Sequence, residues 1–185
     1  LEKISNRRDE FGHLAVTFTD MVETITRREK DLRETHDAVQ RFVPNEFLSL
    51  LERESIRDIE RGDHTSMKME VLFCDMRSFT TIIESMSTHE AFEFINHYLG
   101  HMEPSIYDHG GFINQYLGDC IMALFPTSAD AAVLSAIQML EALERFNKSR
   151  LERDPDHLRT HVGIGINTGV LMLGTIGGRD RLDSG

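Results

Sequence analysis

The sequence is poor in cysteine and contains no long hydrophobic run. Its two cysteines, Cys74 and Cys120, lie in separate apolar segments without a metal-binding spacing. We therefore expect two reduced core thiols rather than a disulfide framework or a zinc site. No apolar stretch approaches the ~20 residues that a membrane-spanning helix needs, and no signal-peptide pattern is present. The chain as given is predicted to be soluble.

Positive charge is also scarce. The chain has 20 Lys and Arg against 31 Asp and Glu, which gives a formal net charge of −11. A nucleic-acid-binding surface needs clustered basic residues, so that class of function is disfavoured. Hydrophobic residues make up 40% of the chain, which is enough for a packed core. A length of 185 residues fits one ordinary domain with an additional segment.

Residues 1–42 carry the pattern of a coiled-coil helix. Apolar residues recur with alternating spacings of three and four, interrupted only at Arg28 and Thr35, and charges of both signs fill the positions between them. The positions of this seam are Phe11, Leu14, Phe18, Met21, Ile25, Arg28, Leu32, Thr35, Val39 and Phe42. Such a helix would be roughly 60 Å long and would not bury its stripe alone, so a parallel homodimer is the simplest solution. The alternative is an amphipathic helix packed on its own domain.

The rest of the chain alternates strand and helix patterns, which is typical of an α+β domain. Ser87 and Glu90 have the spacing of a capping box, and Gly118-Asp119 separates two apolar runs as a hairpin turn does. A second hairpin is predicted across Thr168-Gly169. The expected strands are residues 69–74, 112–117, 120–125, 160–167 and 170–176, the expected helices are residues 87–107 and 129–147, and a charged loop is expected at residues 151–159.

Two aspartates follow or join apolar runs in different contexts. Asp75 lies in F-C-D-M-R-S-F-T (residues 73–80), where a strand ends and a helix-like segment begins. Asp119 lies in G-D-C-I-M-A-L-F (residues 118–125), at the tip of the first hairpin. Taken alone, Asp75 fits a helix N-cap and Asp119 fits a turn residue. Two carboxylates that meet at strand ends can instead hold a pair of Mg²⁺ or Mn²⁺ ions, which nucleoside triphosphate chemistry requires.

Both segments resemble the class III nucleotide cyclase catalytic domain. The family pattern is F-x-D-[IM]-x-x-F-T, followed some forty residues later by G-D-x-x-x-A-x-F. The matching residues are Phe73, Asp75, Met76, Phe79, Thr80, Gly118, Asp119, Ala123 and Phe125. G-I-G-I-N-T-G (residues 163–169) and G-T-I-G (residues 174–177) resemble the family's strand-turn-strand segment. The resemblance covers about residues 69–185 and implies a ferredoxin-like α+β core, here incomplete, that follows a long N-terminal coiled-coil helix.

The resemblance also implies a catalytic site. Asp75 and Asp119 would ligate two Mg²⁺ or Mn²⁺ ions per active site, and the backbone carbonyl of Met76 would add a ligand. The phosphate-binding segment would be the start of the helix after Asp75, through its backbone N–H groups and the Thr80 hydroxyl. It comprises Arg77, Ser78, Phe79 and Thr80. Phe79 is also expected to be a core residue.

Gln115 is the expected base-recognition residue and departs from the family. Adenylate cyclases of this family usually carry Lys at this position, and guanylate cyclases usually carry Glu. A glutamine amide both donates and accepts hydrogen bonds, so the base is left open by this residue. The surrounding sequence resembles bacterial receptor-type adenylate cyclases, which favours ATP as substrate and cyclic AMP as product. GTP and a guanylate cyclase are the alternative.

The N-terminal part resembles signalling segments. D-E-F-G-H-L (residues 9–14) resembles the start of the second helix of a HAMP module, and R-F-V-P-N-E-F-L (residues 41–48) resembles the connector ahead of bacterial cyclase domains. Pro44 favours a break between two helices, the second at about residues 43–54. The predicted organisation is a HAMP and coiled-coil helix (residues 1–42), a transducer connector (43–68) and a truncated catalytic domain (69–185). This organisation implies the cytoplasmic portion of a membrane-anchored receptor with an upstream sensor.

The chain stops at Gly185. In the family, the following strand and helix carry the second base-reading side chain and the Asn and Arg that act on the ribose and the transition state. Active sites of the family form across a head-to-tail dimer, but a dimer cannot supply groups that both copies lack. We therefore expect little or no cyclase activity from residues 1–185 alone. A rival function is a non-catalytic dimeric relay, which metal-dependent nucleotide binding would distinguish.

Overall fold

The computed structural model describes residues 10–40, 42–153, 158–178 and 182–184. The chain divides into two compact units, one ending at Val43 and one beginning at Pro44. The first unit contains a single described helix, α1 (Glu10–Gln40). Apolar side chains of the predicted seam are exposed along it, namely Leu14, Phe18, Met21, Ile25 and Leu32. Residues 1–9 of the predicted helix, which include Asp9 of the HAMP-like motif, lie outside the described residues.

Helix α1 does not continue through Pro44. It ends at Gln40, and the short helix α2 (Asn45–Leu50) begins directly after Pro44, which occupies the N-cap position. The predicted break at this proline is therefore confirmed. Helix α2 is shorter than predicted, because Glu52 adopts a left-handed φ of 55° that ends it. Within the described residues, no helix is long and apolar enough to cross a membrane.

The second unit is built on a five-stranded sheet. The strands are β1 (His64–Met76), β2 (Phe112–Leu117), β3 (Cys120–Phe125), β4 (Val162–Gly177) and β5 (Leu182–Ser184). Their order is β2-β3-β1-β4-β5, and the neighbouring strands are antiparallel. The helices after α2 are α3 (Phe79–Glu84), α4 (Thr88–Tyr107) and α5 (Ala129–Arg153). Strands β1 to β4 with α4 and α5 form the βαββαβ ferredoxin-like arrangement, so the predicted α+β class is confirmed.

Local signals place the elements around the site. The predicted capping box is present: the Ser87 hydroxyl accepts from the Glu90 N–H, and the Glu90 carboxylate accepts from the Ser87 N–H. The predicted hairpin is also present, with Gly118 at φ 68°. Helix α5 extends beyond the expected residue 147 to Arg153, so the charged loop begins later than predicted. Residues 154–157 of that loop lie outside the described residues.

The predicted hairpin across Thr168-Gly169 is wrong. Strand β4 is one continuous strand of 16 residues, and Thr168 and Gly169 pair with Glu70 and Met69 in the middle of its ladder with β1. A turn-type dipeptide does not force a turn where its backbone N–H and C=O groups can form hydrogen bonds with a neighbouring strand. Strand β1 is itself 13 residues long, and it offers a partner for each residue from Val162 to Gly174.

The main core lies between the sheet and α4 and α5. Its largest fully buried members include Tyr98, Met102, Ile106, Ile121, Met139 and Phe146. The end of α5 is tied to the start of β4 by a buried reciprocal pair: the Asn147 amide donates to the Thr160 carbonyl, and the Thr160 N–H donates to the Asn147 side-chain oxygen, both at 2.8 Å. This pair fixes where β4 enters the sheet, and with it the residues that face Asp75.

Candidate active site

Asp75 lies near the end of β1, on the side of the sheet away from the main core. In β1 the side chains of Leu72, Cys74 and Met76 are buried, whereas Phe73 and Asp75 between them are exposed. This alternation follows from the period of two in a strand. We call the sheet surface around Phe73, Asp75 and their neighbours on β3 and β4 the open face. The alternative role of Asp75 as a helix N-cap is not observed, because Ser78 occupies the N-cap position of α3.

Asp119 is brought to the same place by the β2–β3 hairpin. Leu117 pairs with Cys120, so Gly118 and Asp119 form a two-residue turn. A positive φ at Gly118 but not at Asp119 is the pattern of a type II′ turn, which favours glycine at its first central position. The Asp119 Oδ2 atom accepts a hydrogen bond of 3.1 Å from the Met76 N–H. The carboxylate of one motif is thereby bound to the backbone immediately after the aspartate of the other.

The segment after Asp75 only partly matches the expected phosphate-binding site. The Arg77 N–H donates to the His161 carbonyl at 2.8 Å, so the expectation of a free N–H at Arg77 is wrong. The first hydrogen bond of α3 runs from the Ile82 N–H to the Ser78 carbonyl at 3.1 Å. The N–H groups of Phe79 and Thr80 therefore have no partner within the helix.

The side chains of this segment differ in burial. Phe79 packs against the main core, as expected, whereas Arg77, Ser78 and Thr80 are exposed. Ser78 has a left-handed φ of 56°, which is uncommon for a residue other than glycine. This conformation turns the chain sharply from β1 into α3.

Gln115 is turned onto the open face by a β-bulge. The register of β2 and β3 shifts between Ile113 and Gln115, with Ile113 opposite Ala123 and Gln115 opposite Met122. Met122 is in turn opposite Phe73 on the open face. Without the extra residue Asn114, Gln115 would share the core-facing side of Ile113. The sequence contains no strong signal for this bulge.

An apolar groove lies on the open face between β1, β3 and β4. Its volume is about 520 Å³, and its lining includes Val71, Phe73, Met122 and Leu171. A larger cavity of about 820 Å³ lies on the helical side, against α4 and the end of α5. None of the motif residues Asp75, Gln115 and Asp119 lines that larger cavity. These three residues do not line the groove on the open face either, but Phe73 in its lining is two residues from Asp75 on β1, and Met122 pairs with Gln115.

Two cysteines and a tyrosine lie close to the two aspartates. Both cysteines are free, with Cys74 buried and Cys120 partly exposed. The Cys74 Sγ lies 3.6 Å from the Tyr98 hydroxyl, and burial raises the pKa of Cys74 to about 11. Burial is the main cause that raises the pKa of Cys120, and the negative charges of Asp75 and Asp119 raise it further. Cys120, which follows Asp119 in the chain, therefore also lies close to Asp75, a proximity that the sequence pattern did not reveal.

The donor set fits small divalent cations that keep part of their water shell. Asp75 and Asp119 supply carboxylate oxygens, the ligands that Mg²⁺ prefers, and Mg²⁺ sites commonly combine one or two carboxylates with substrate phosphates. Across the described ranges, no group of three or more His, Cys, Asp or Glu side chains is arranged to hold a metal ion. Any ion held here would thus depend on backbone, water or substrate oxygens as well.

The sequence matches the family described as the adenylate and guanylate cyclase catalytic domain over residues 63–183. The chain belongs to this family. It is 41% identical over 184 residues to an adenylate cyclase of Anabaena cylindrica, covering 98% of this chain and 37% of that protein. It is 33% identical over 159 residues to the terminal-differentiation-specific adenylate cyclase of Dictyostelium discoideum, covering 83% of this chain and 7% of that protein. This cyclase-family chain therefore spans well under half the length of these relatives.

Solved structures of cyclases share the fold. A bacterial light-regulated adenylyl cyclase superposes with a TM-score of 0.74 at 22% identity, covering 89% of this chain and 48% of that chain. The guanylyl cyclase Cya2 superposes with a TM-score of 0.59 at 31% identity, covering 65% of this chain and 64% of that chain. The first likeness concerns the fold alone. Together they place the ferredoxin-like core of this cyclase domain among the class III cyclase folds.

Proposed function

We propose that this domain converts ATP to cyclic AMP and pyrophosphate. In this reaction the ribose 3′-oxygen attacks the α-phosphorus, the bond to the bridging oxygen of the β-phosphate breaks, pyrophosphate leaves, and the 3′-hydroxyl proton passes to water or a nearby base. The observation that carries the proposal is the 3.1 Å hydrogen bond from the Met76 N–H to Asp119 Oδ2. It fixes the Asp119 carboxylate next to the backbone of Asp75.

Asp75, Asp119 and the carbonyl of Met76 would hold two Mg²⁺ or Mn²⁺ ions. When bound, such ions lower the pKa of the attacking hydroxyl and neutralise the triphosphate. Phosphate binding would be supplied by the segment that follows Asp75. The N–H groups of Phe79 and Thr80, which lack an intrahelical partner, would bind phosphate oxygens. The hydrogen bond to Met76 would keep Asp119 oriented as substrate enters.

The apolar groove and Gln115 would receive the purine. Phe73 and Met122 offer an apolar surface in this groove, and Gln115 lies opposite Met122 in the ladder. ATP is favoured because the relatives from Anabaena and Dictyostelium are adenylate cyclases. GTP is the second candidate, because the Gln115 amide can serve either purine and the Cya2 relative, at 31% identity, is a guanylyl cyclase.

A homodimer would use two exposed apolar surfaces. The first is the seam of α1, where Leu14 and Leu32 are 66% and 60% exposed. The second lies in the second half of β4, where Val170 and Met172 are 78% and 67% exposed. Exposed apolar stripes of this kind favour association with a second copy. We propose that the seam forms a parallel coiled coil, as expected for a helix whose start resembles the second helix of a HAMP module.

The connector would carry a signal from this helix to the sheet. Arg53 donates two hydrogen bonds to the Asp63 carboxylate, at 3.1 and 2.9 Å. The Asp63 carbonyl accepts from the Thr175 N–H at 2.8 Å, and the Thr175 hydroxyl donates to the Glu60 carbonyl at 2.6 Å. A shift of the connector would therefore pull on β4, which pairs with β1 as far as Asp75. The upstream sensor and the membrane anchor stay predictions.

The test is cyclic nucleotide production by the full-length protein, with Mn²⁺ and either ATP or GTP. We expect cyclic AMP that is lost in Asp75→Ala and in Asp119→Ala, and retained in Glu141→Ala on α5 as a surface control. Cyclic GMP as the main product would reverse the substrate assignment. The little activity expected of residues 1–185 alone stays a prediction, which the same assay checks.

The non-catalytic relay is distinguished by nucleotide binding. A folded dimer that shows no metal-dependent nucleotide binding and makes no product would support the relay. Binding of Mn²⁺ with ATP that depends on Asp75 would support the enzyme, because a pure relay has no need for two carboxylates at this position. The measurement is titration of a fluorescent ATP analogue with and without Mn²⁺.

A further inference from the structure

The guanidinium of Arg77 lies in a notch formed by Gly163. A Cβ atom added at Gly163 would overlap Nη2 of Arg77 and would lie 2.8 and 2.9 Å from its Cζ and Nε atoms. These distances are too short for any side chain to share the space. The absence of a side chain at Gly163 therefore allows Arg77 to lie flat on β4.

The notch is directly beside Asp75. Gly163 is the partner of Asp75 in the β1–β4 ladder, and paired residues in an antiparallel sheet face the same side with Cβ positions about 5 Å apart. The Arg77 N–H is bound to the His161 carbonyl at 2.8 Å, which holds its backbone against the same strand. Asp75 thus has Asp119 on its β3 side and the Arg77 guanidinium on its β4 side.

We propose that the Arg77 side chain, seated on Gly163, binds the polyphosphate of the metal-bound nucleotide. This inference rests on the proposed cyclase function and adds a side-chain contact to it. A guanidinium presents several N–H donors in a planar fork that suits phosphate oxygens. Its place beside Asp75 would set it near the phosphates of a nucleotide whose metal ions that carboxylate would help to hold. Gly163 acts through Arg77 and is a positioning residue.

The competing role for Arg77 is to balance the charge of Asp75. The two roles differ in what happens when the guanidinium is removed. A cation that only balances the charge of Asp75 opposes the binding of Mn²⁺. Its loss would therefore strengthen metal binding and leave phosphate binding unchanged. A cation that binds polyphosphate would be needed most when a triphosphate is present. Comparison of ATP with AMP therefore separates the two roles.

The experiment is titration of the 185-residue chain with Mn²⁺ and fluorescent analogues of ATP and AMP. We expect Arg77→Ala to weaken ATP binding about 10- to 100-fold, the effect of losing charge-assisted hydrogen bonds. AMP binding should change less than about twofold. Arg77→Lys should restore part of the affinity, because it keeps the charge but not the fork. Circular dichroism checks that each variant is folded.

Gly163→Ala tests the notch itself. Its new methyl group would displace the end of a flexible side chain rather than the backbone, so we expect the fold to persist and ATP affinity to fall as in Arg77→Ala. In the Arg77→Ala background, Gly163→Ala should have no further effect. The matched control is Gly169→Ala on the same strand, where an added Cβ meets no atom within 4 Å. It should leave ATP binding unchanged.

The outcomes separate this inference from the proposed function. If the unsubstituted chain binds ATP through Mn²⁺ and Asp75, but Arg77→Ala binds it as well, the inference is wrong and the function stands. An equal loss of ATP and AMP, or tighter Mn²⁺ binding with ATP unaffected, also overturns the inference. Absence of metal-dependent nucleotide binding by the folded, unsubstituted chain overturns both.

Discussion

The two faces of the sheet near Asp75 differ in what covers them. On the core-facing side, Leu72 and Cys74 are fully buried under the helices, whereas Phe73, between them on β1, is 41% exposed. The core-facing side holds the fold together through apolar packing. The open face carries Asp75, the bulge-directed Gln115 and the apolar groove, none of which the core requires. One strand thus supplies stability with one set of residues and, under the proposed function, chemistry with the alternate set.

The sharpest test of this division is Asp75→Asn. The change keeps the shape of the side chain and removes its charge. Under the proposed function, we expect cyclic nucleotide formation by the full-length protein to fall by at least about 1,000-fold, because a carboxylate that ligates catalytic metal ions contributes several kcal/mol. The free energy of unfolding should stay within about 0.5 kcal/mol, because the residue is exposed. A large loss of stability, measured by urea unfolding, would mean that the open face also supports the fold.

The pair Leu72→Ala and Phe73→Ala compares the two faces at adjacent positions. We expect Leu72→Ala to lower the free energy of unfolding by about 3 kcal/mol, since it leaves a cavity in a fully buried site. Phe73→Ala should cost about 1 kcal/mol or less, because its side chain is partly solvated already. Urea unfolding of both variants gives the comparison. Equal losses would show that the groove is packed as tightly as the core.

Cys74 makes the core-facing side sensitive to high pH. Burial raises the pKa of Cys74 to about 11, so the unfolded chain releases this proton at a lower pH than the folded one. The stabilisation is complete below the unfolded thiol pKa and is lost as pH rises toward 11. Between pH 8 and 10 this amounts to about 1.4 kcal/mol. Unfolding free energies across this range should fall more steeply for the natural chain than for Cys74→Ala, and identical slopes would contradict the assignment.

The smallest expected effect is at the start of α4. Ser87→Ala removes the hydroxyl that accepts from the Glu90 N–H, and we expect a loss of about 1 kcal/mol in unfolding free energy. Metal-dependent nucleotide binding should not change, since α4 packs on the core-facing side. Thr88→Ala at the next position is the control for an exposed change on the same helix. A fall in nucleotide affinity would show that the two faces are coupled through α4.

Much of the fold could be predicted because its signals are local. The capping box at Ser87 and the hairpin at Gly118 each depend on residues close in the chain, and both formed as predicted. The two aspartates could be found because each lies at a recognisable strand end. The prediction of a turn at Thr168-Gly169 was wrong for the opposite reason. Its local preference was outweighed by a ladder with β1, a strand about one hundred residues earlier in the chain.

The sequence by itself determined the α+β class, the two aspartates and the break at Pro44, since apolar spacing, turn residues and proline act over a few residues. Only the tertiary structure decided that Asp119 binds the Met76 N–H, that Gly163 receives the Arg77 guanidinium, and that a bulge turns Gln115 onto the open face. Each of these depends on register between strands distant in the chain or on a one-residue shift. Register is fixed by the packing of the whole sheet, and no short segment encodes it.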